Sequence, residues 1–192
     1  MTEEPRTGLL SHDVLIVQQI NSFMANDFDI LDTTGGVLGR VVGQDSFGGL
    51  FFAGPRRFLL VQSDGTPLLA FDDVMDIGFD TFEMSWPDGR RLATLRRRPA
   101  LFSTSITVTA ATGASMELVG DLGGLDYQVV SGGTVLGRVA REWAGMGAAL
   151  LGHSRYAMTF APGATEETRL LALGTAIALD LIRRKRRRRA NN

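Results

Sequence analysis

The stretch LLALGTAIALDLI at residues 170–182 decides the fold, because it is apolar on almost every face of a helix. Thr165 before it is a suitable N-cap, two glutamates fall in the first turn, and arginines follow the last turn, so both ends suit the helix dipole. Its 13 residues would extend about 20 Å as a helix, too short to cross a bilayer. A helix that is apolar all round must be buried, so the sequence predicts a central helix at residues 165–182.

Upstream of that helix the chain repeats one hairpin pattern. Each unit begins with an apolar residue, a polar or small residue and a second apolar residue, and a glycine follows six or seven positions after the first. The units begin at Phe28, Phe58, Phe82, Ile106, Tyr127 and Tyr156, with glycines at Gly35, Gly65, Gly89, Gly113, Gly133 and Gly163. Alternation is typical of a strand with one buried face, and glycine supplies the positive φ of a tight turn.

The return strands carry a second regularity. Their apolar residues fall three and six positions after the turn, which does not fit strict alternation and predicts a bulge or strong twist. The pairs are Leu38/Val41, Leu68/Phe71, Leu92/Leu95, Met116/Val119 and Leu136/Val139. Spacing is too irregular for a solenoid, and closure removes exposed strand edges. The sequence therefore predicts a mainly β (α+β) fold, a closed antiparallel barrel of about 12 strands enclosing one apolar C-terminal helix.

Charge is unevenly distributed. The net charge is −1, and removing the seven positive charges of the run 183–189 leaves −8 on the remainder. The chain thus divides into an N-terminal arm at residues 1–9, the barrel with its helix at residues 10–182, and a basic tail at residues 183–192. Repulsion among the tail charges disfavours helix, so we expect a flexible arm beyond Ile182.

Composition excludes several classes of protein. Without cysteine there are no disulfides, thiolate metal sites or cysteine nucleophiles. Residues 1–7 are acidic and polar rather than basic and then apolar, so no secretory signal is predicted. We expect a cytoplasmic protein that can associate peripherally with the inner face of the plasma membrane. One lysine beside 19 arginines favours a bacterial source with a GC-rich genome.

The order of motifs resembles a known superfamily. LIVQQ at residues 15–19, followed by FDILD at 28–32, is similar to the start of phospholipid scramblases; VLGRVAREWAG at 135–145 and YAMTFAP at 156–162 resemble later family motifs. The chain is therefore identified as a bacterial-type relative of the phospholipid scramblase, LURP-one-related and tubby-like C-terminal domains. The resemblance implies a twelve-stranded barrel around a central helix. Eukaryotic scramblases carry a calcium-binding acidic segment where this chain has GHSR at residues 152–155, so calcium control is not expected.

Two basic sets are candidates for binding anionic lipid. The first is the tail, Arg183, Arg184, Lys185, Arg186, Arg187, Arg188 and Arg189. The second flanks the third hairpin and consists of Arg90, Arg91, Arg96, Arg97 and Arg98, with Arg56 and Arg57 before the second hairpin. Basic surface residues of tubby-like domains bind phosphoinositide headgroups, which implies the same for this second set. Solubilising tail charges and solvated loop arginines are the alternatives.

Chemistry other than binding finds little support. His12 and Asp13 are too close in sequence to form a triad by themselves, and His153 falls in a predicted loop. The glycine-rich residues 43–49 lack the Gly-Lys-Ser/Thr of a P-loop. The carboxylates Asp72, Asp73 and Asp76 are read as a solvated loop, with a divalent-ion site as the alternative. No enzyme, cofactor or metal site is predicted.

Two functions follow. The first is a non-enzymatic, scramblase-like protein that docks on anionic phospholipid and is linked to phospholipid scrambling. The alternative is a regulatory module that binds a protein or, by the same electrostatics, nucleic acid.

Overall fold

One closed antiparallel barrel forms from the part of the chain that the computed structural model describes, residues 8–19, 28–43, 57–75, 80–98, 105–121, 126–140 and 155–190. The strands are β1 Val14–Gln19, β2 Phe28–Leu31, β3 Val37–Gly43, β4 Arg57–Gln62, β5 Pro67–Met75, β6 Asp80–Ser85, β7 Arg91–Arg98, β8 Ser105–Ala110, β9 Ser115–Asp121, β10 Asp126–Ser131, β11 Thr134–Ala140 and β12 Arg155–Phe160, with a 3₁₀ helix Leu9–Ser11 and one α-helix, α1, Glu166–Ala190. Successive strands pair with each other, and β1 pairs with β12 to complete the circle. The predicted fold class is confirmed.

The repeated hairpin pattern corresponds to real hairpins. Its six starting residues lie on β2, β4, β6, β8, β10 and β12, the first strand of each unit. The predicted glycines adopt positive φ, as at Gly65 and Gly89, both with φ 87°. Asp64 and Asp88 precede them, and each side chain accepts a backbone N–H two residues onward, at 2.8 Å and 3.0 Å. The positive φ of the glycine and the bond from a backbone N–H to the aspartate side chain together stabilise a tight turn.

The predicted bulge is present in four of the return strands. The register shifts between Ile30 and Leu31, Leu60 and Val61, Met84 and Ser85, and Val129 and Val130. No such shift is recorded in the paired residues of β8 and β9. There strict alternation holds, so Met116 and Leu118 are buried while Val119 is 53% exposed. The prediction that Val119 shares the core spacing is therefore wrong.

The helix α1 is buried inside the barrel, as predicted. Every residue from Arg169 to Leu179 is buried, and so are Leu181 and Ile182. Gly174 allows the closest approach of helix and strands, because a Cβ there would lie 2.7 Å from Leu69 Cδ2 and 2.8 Å from Met84 Sδ. The predicted N-cap is also correct, since the Thr168 N–H donates to Thr165 Oγ1 at 3.2 Å.

The two ends of the barrel differ. The β2–β3, β4–β5, β6–β7, β8–β9 and β10–β11 turns lie at one end, with the end of β12 and the start of α1; we call this the turn end. Near it Arg169 contacts the segment before β1, Gly174 lies midway, and Asp180 lies close to Tyr127 on β10. The helix therefore runs through the barrel and leaves at the opposite end, the tail end.

Two predicted boundaries need correction. α1 does not end at Ile182 but continues to Ala190. Leu9, placed in the N-terminal arm, is instead 1% exposed and packs in the core, where its N–H donates to Gln62 Oε1 at 3.1 Å. The rest of the arm, residues 1–7, lies outside the described part of the chain.

Candidate anion-binding surface

The predicted basic tail is the end of α1. We call its last eight residues, Arg183–Ala190, the basic extension. Arginine and lysine are good helix formers, each added residue gains a backbone hydrogen bond, and cations are favourable at a helix C-terminus. These effects outweigh the mutual repulsion that predicted a flexible arm, so that prediction is wrong. Eight helical residues reach about 12 Å beyond Ile182.

The junction between core and extension is polar. Arg183 Nη1 lies 3.8 Å from Asp180 Oδ1, one turn earlier, and both side chains are largely buried. Tyr127 on β10 lies close to this pair. Burial raises the pKa of its hydroxyl far above the usual value, the charge of Asp180 raises it further, and Arg183 partly offsets the increase. The first cation of the run is therefore paired with a carboxylate of the same helix and does not act as a free surface charge.

The second predicted set does not form one cluster. Arg90 and Arg91 are exposed at the turn end, and Arg90 Nε lies 2.7 Å from Asp88 Oδ2. Arg96 and Arg97 lie at the other end of β7, opposite Thr81 and Asp80 of β6. Arg91 and Arg98 are the two ends of the eight-residue strand β7, about 23 Å apart. Only Arg96, Arg97 and Arg98 thus share the tail end with the basic extension.

Other charges near the tail end are paired across strands. Arg57 Nε lies 3.7 Å from Asp72 Oδ1, and Arg138 Nη2 lies 2.9 Å from Asp126 Oδ1. Of the predicted acidic cluster, Asp72 has this partner, Asp73 is half-buried in β5, and Asp76 lies outside the described residues, as does Arg56. Among the residues described, no group of three or more metal-ligating side chains comes together.

Carboxylates dominate the turn end. Asp32, Asp64 and Asp88 each sit at the start of a hairpin turn, and two glutamates open α1. Asp32 Oδ1 accepts from the backbone N–H groups of Thr34 and Gly36 at 2.7 and 2.9 Å and from the Thr34 hydroxyl at 2.7 Å. These bonds, that from the Thr34 hydroxyl first, hold the pKa of the Asp32 carboxyl below its usual value.

Arg169 is a structural charge that the sequence reading missed. It is 3% exposed, and it donates to the carbonyls of Ala164, Leu10 and His12 at 3.1, 3.4 and 2.8 Å and to Asp13 Oδ1 at 2.6 Å. Its guanidinium also lies 5.2 Å from the centre of the Phe160 ring. It therefore fixes the start of α1 to the segment before β1. The available signal was a cation in the first turn of a helix, where the dipole disfavours it.

Comparison with known proteins now identifies the architecture. A family description, LURP-one-related, matches residues 12–180, nearly the whole barrel and its helix. The chain belongs to the LURP-one-related family. This family lies within the tubby-like superfamily, whose domains bind lipids or proteins and are generally non-catalytic. None of the curated proteins matches the chain.

Within this LURP-one-related domain, two of the other candidate residues, His12 and Asp13, lie beside Arg169. The carbonyl of His12 accepts from Arg169, and its neighbour Asp13 pairs with the same side chain, so both residues serve the helix attachment. His153 and residues 44–49 of the glycine-rich segment lie outside the described residues. In the portion described, no helix has the length and apolar character needed to cross a bilayer.

Proposed function

We propose that this LURP-one-related domain is a non-enzymatic, peripheral membrane module that binds anionic phospholipid through the basic extension. The observation that carries the proposal is the continuity of α1, whose apolar part is the core of the barrel and whose end holds seven consecutive basic residues. A barrel that binds lipid in this way belongs in the cytoplasm, at the inner face of the plasma membrane.

The electrostatics favour a surface with dense negative charge. Each lysine or arginine close to an anionic leaflet contributes about 1 kcal/mol, which falls off within a Debye length of about 8–10 Å. The six residues from Arg184 to Arg189 supply an upper bound of about 6 kcal/mol, from which repulsion by the acidic remainder of the chain subtracts. Binding should therefore be strong on anionic vesicles, absent on neutral ones and sensitive to salt.

The relation to phospholipid scramblases is proposed at the level of docking. The apolar part of α1 is enclosed by the barrel, with Leu173, Ala176 and Ile177 completely inaccessible to solvent. A helix in that position cannot also cross a bilayer unless the barrel opens. We propose that the domain associates with membranes where lipid is scrambled, without itself moving lipid across them.

Vesicle co-sedimentation tests the proposal. The variant replaces Arg184, Lys185, Arg186, Arg187, Arg188 and Arg189 by glutamine, which retains helix propensity. Arg183 is kept because it pairs with Asp180. Truncation after Ile182 is a poorer test, since it also removes the last helical turns. Wild type should pellet with phosphatidylserine-containing vesicles at low ionic strength and lose binding as salt rises; the six-glutamine variant should stay in the supernatant.

The control removes two positive charges from the other end of the barrel. Arg90→Gln with Arg91→Gln should bind vesicles as wild type does, because these residues lie at the turn end. Undiminished binding by the six-glutamine variant would contradict the proposal and direct attention to Arg96, Arg97 and Arg98. Binding to duplex DNA without binding to vesicles would instead support the nucleic-acid alternative. If the protein binds neither vesicles nor DNA, a protein partner is the remaining alternative.

A further inference from the structure

Two strands with the same sequence expose apolar side chains at the turn end. β3 and β11 both contain VLGRV, at residues 37–41 and 135–139. Their first valines, Val37 and Val135, are 42% and 40% exposed, and in the described part of the chain Val119 is the one other large apolar side chain that is exposed. The leucines that follow, Leu38 and Leu136, are half-buried and pack on the core. The turn end therefore presents apolar groups to solvent at two equivalent positions.

The surface between these two valines is continuous. Only β12, β1 and β2 lie between β11 and β3, so the valines are about 19 Å apart along the wall of the barrel. The Ala161 N–H donates to the Leu136 carbonyl at 2.9 Å, and Arg169 donates to the carbonyls of Ala164 and Leu10 at 3.1 and 3.4 Å. Leu10 and Ala164 are themselves half-buried. We call this surface the valine face; it consists of residues 8–13, 32–38, 132–136 and 161–167.

The charge of the valine face is negative. The face contains no lysine or arginine, and its carboxylates are Asp13, Asp32, Glu166 and Glu167. Arg169 lies behind the face, 3% exposed, and pairs with Asp13 at 2.6 Å, which leaves three of the four carboxylates without an arginine beside them. Residues 1–7 contain two glutamates and one arginine, so they do not reverse this charge. A ligand for this face should therefore be cationic as well as apolar.

The closed barrel limits how a partner can bind there. A sheet without a free edge cannot accept an added strand by backbone pairing, so recognition falls to side chains. One face of a helix presents apolar side chains over about 19 Å in about 13 residues. The basic run of a second copy does not have this character, because residues 183–189 are all basic. Anionic lipid and nucleic acid are repelled by the carboxylates.

We propose that the valine face binds a basic amphipathic helix of a partner protein. The apolar side of that helix contacts Val37 and Val135, and its lysines or arginines lie beside Asp32, Glu166 and Glu167. This interaction is independent of the proposed membrane function, since the face contains no residue of the basic extension.

A synthetic peptide tests the apolar contacts. The probe is a fluorescein-labelled peptide of about 14 residues with leucines on one side of a helix and lysines on the other, titrated with the full chain and followed by anisotropy. Val37→Ser with Val135→Ser should weaken binding about 10-fold, because both contacts lose apolar area. Val119→Ser is the control, since Val119 is exposed on β9 outside the valine face, and it should bind as wild type does.

A second pair of variants tests the charge. Glu166→Gln with Glu167→Gln should weaken peptide binding about five-fold at low ionic strength, and the difference should shrink as salt rises. The matched control, Glu83→Gln with Glu117→Gln, removes the same charge from exposed positions on β6 and β9 and should leave the affinity unchanged. Thermal melting of each variant checks that it is folded at the assay temperature.

Several outcomes would overturn the proposal. Wild type that does not bind the probe, or equal affinities for the valine variant, its control and wild type, would remove the site. Equal losses in the two glutamine variants would show that only net charge matters. Self-association of wild type that the valine variant abolishes would assign the face to a second copy instead. Vesicle binding should be the same for all four variants as for wild type, so failure of the peptide experiment leaves the proposed membrane function to its own test.

Discussion

At the scale of single residues, Arg169 shows how a charge can be buried in a core of this kind. Its polar contacts come from Ala164 in the turn before α1 and from residues 10, 12 and 13, more than 150 positions away. A buried cation is tolerated only when its donors are satisfied, and here three carbonyls and a carboxylate accept them. The carboxylate of Asp13 is itself exposed, so the hydrogen bonds to the three carbonyls supply most of the stabilisation.

Arg169→Ala should therefore lower the free energy of unfolding by about 2–4 kcal/mol, because buried carbonyls lose their donor. Urea denaturation measures this directly. The matched control is Arg138→Ala, which removes an exposed arginine paired with Asp126 and should cost less than about 1 kcal/mol. Equal effects of the two substitutions would show that Arg169 does not hold the turn end together.

The three aspartates of the hairpin turns make the stability of the fold depend on pH. Hydrogen bonds from Thr34, Thr66 and Arg90 lower the pKa values of Asp32, Asp64 and Asp88 below the ordinary 3.8. A carboxyl with a lower pKa when folded stabilises the fold above its unfolded pKa, and this contribution is lost as pH falls through the folded pKa. We expect Tm to drop below about pH 4. The triple variant with asparagine at these positions should show a flatter Tm profile from pH 2 to 5, and an unchanged profile would refute this cause.

At the scale of elements, the single helix α1 supplies both the centre of the core and the basic extension. Its apolar residues replace the return strand that a sixth hairpin would otherwise supply, which is why the barrel closes through β1 instead. The same backbone hydrogen bonds that order the buried part continue through the basic extension. The buried segment and the basic extension therefore form one continuous helix.

Ile177→Asp should unfold the domain. Ile177 is completely buried at the centre of α1, and an unpaired charge there costs several kcal/mol. Circular dichroism and thermal melting of the variant report the loss. A variant with a wild-type Tm would contradict the central position of the helix.

Gly174 tests the fit between helix and strands. Gly174→Val places a branched side chain against Leu69 and Met84, where even a Cβ would come within 2.8 Å of both. Overpacking of this kind should cost about 1–3 kcal/mol in chemical denaturation. Gly174→Ala is the graded control and should be milder, because flexible side-chain ends can shift and alanine is about 1 kcal/mol better in a helix. A valine variant as stable as wild type would show that the helix has room to move.

At the scale of the whole molecule, charge is separated along one axis, with carboxylates at the turn end and the basic extension beyond the tail end. The near-neutral total of −1 hides this arrangement. We therefore expect the charge of a surface and the ionic strength to affect this protein more than a specific metal ion does.

Calcium should accordingly have little effect. Residues 152–155 are Gly-His-Ser-Arg and contain no carboxylate, and the described residues contain no cluster of three metal-ligating side chains. Titration calorimetry should detect no micromolar calcium binding, and Tm should be the same with calcium as with a chelator. Micromolar binding would overturn this expectation.

The sequence alone determined the repeated hairpins, the positive-φ glycines and the buried helix, because each depends on local periodicity or on one residue's backbone preference. Phe58, Gly65 and Phe71 specify one hairpin without reference to the rest of the chain. The apolar residues of α1 likewise require burial wherever the helix lies.

Only the tertiary structure decided what depends on residues far apart in sequence. The missing bulge exposes Val119, the carbonyls of residues 10 and 12 make Arg169 a buried attachment, and the length of β7 separates Arg90 and Arg91 from Arg96 and Arg97. The basic run is the clearest case. Its charges alone predict a disordered arm, whereas continuation from a helix already held by the barrel removes the cost of nucleation, so the extension stays helical.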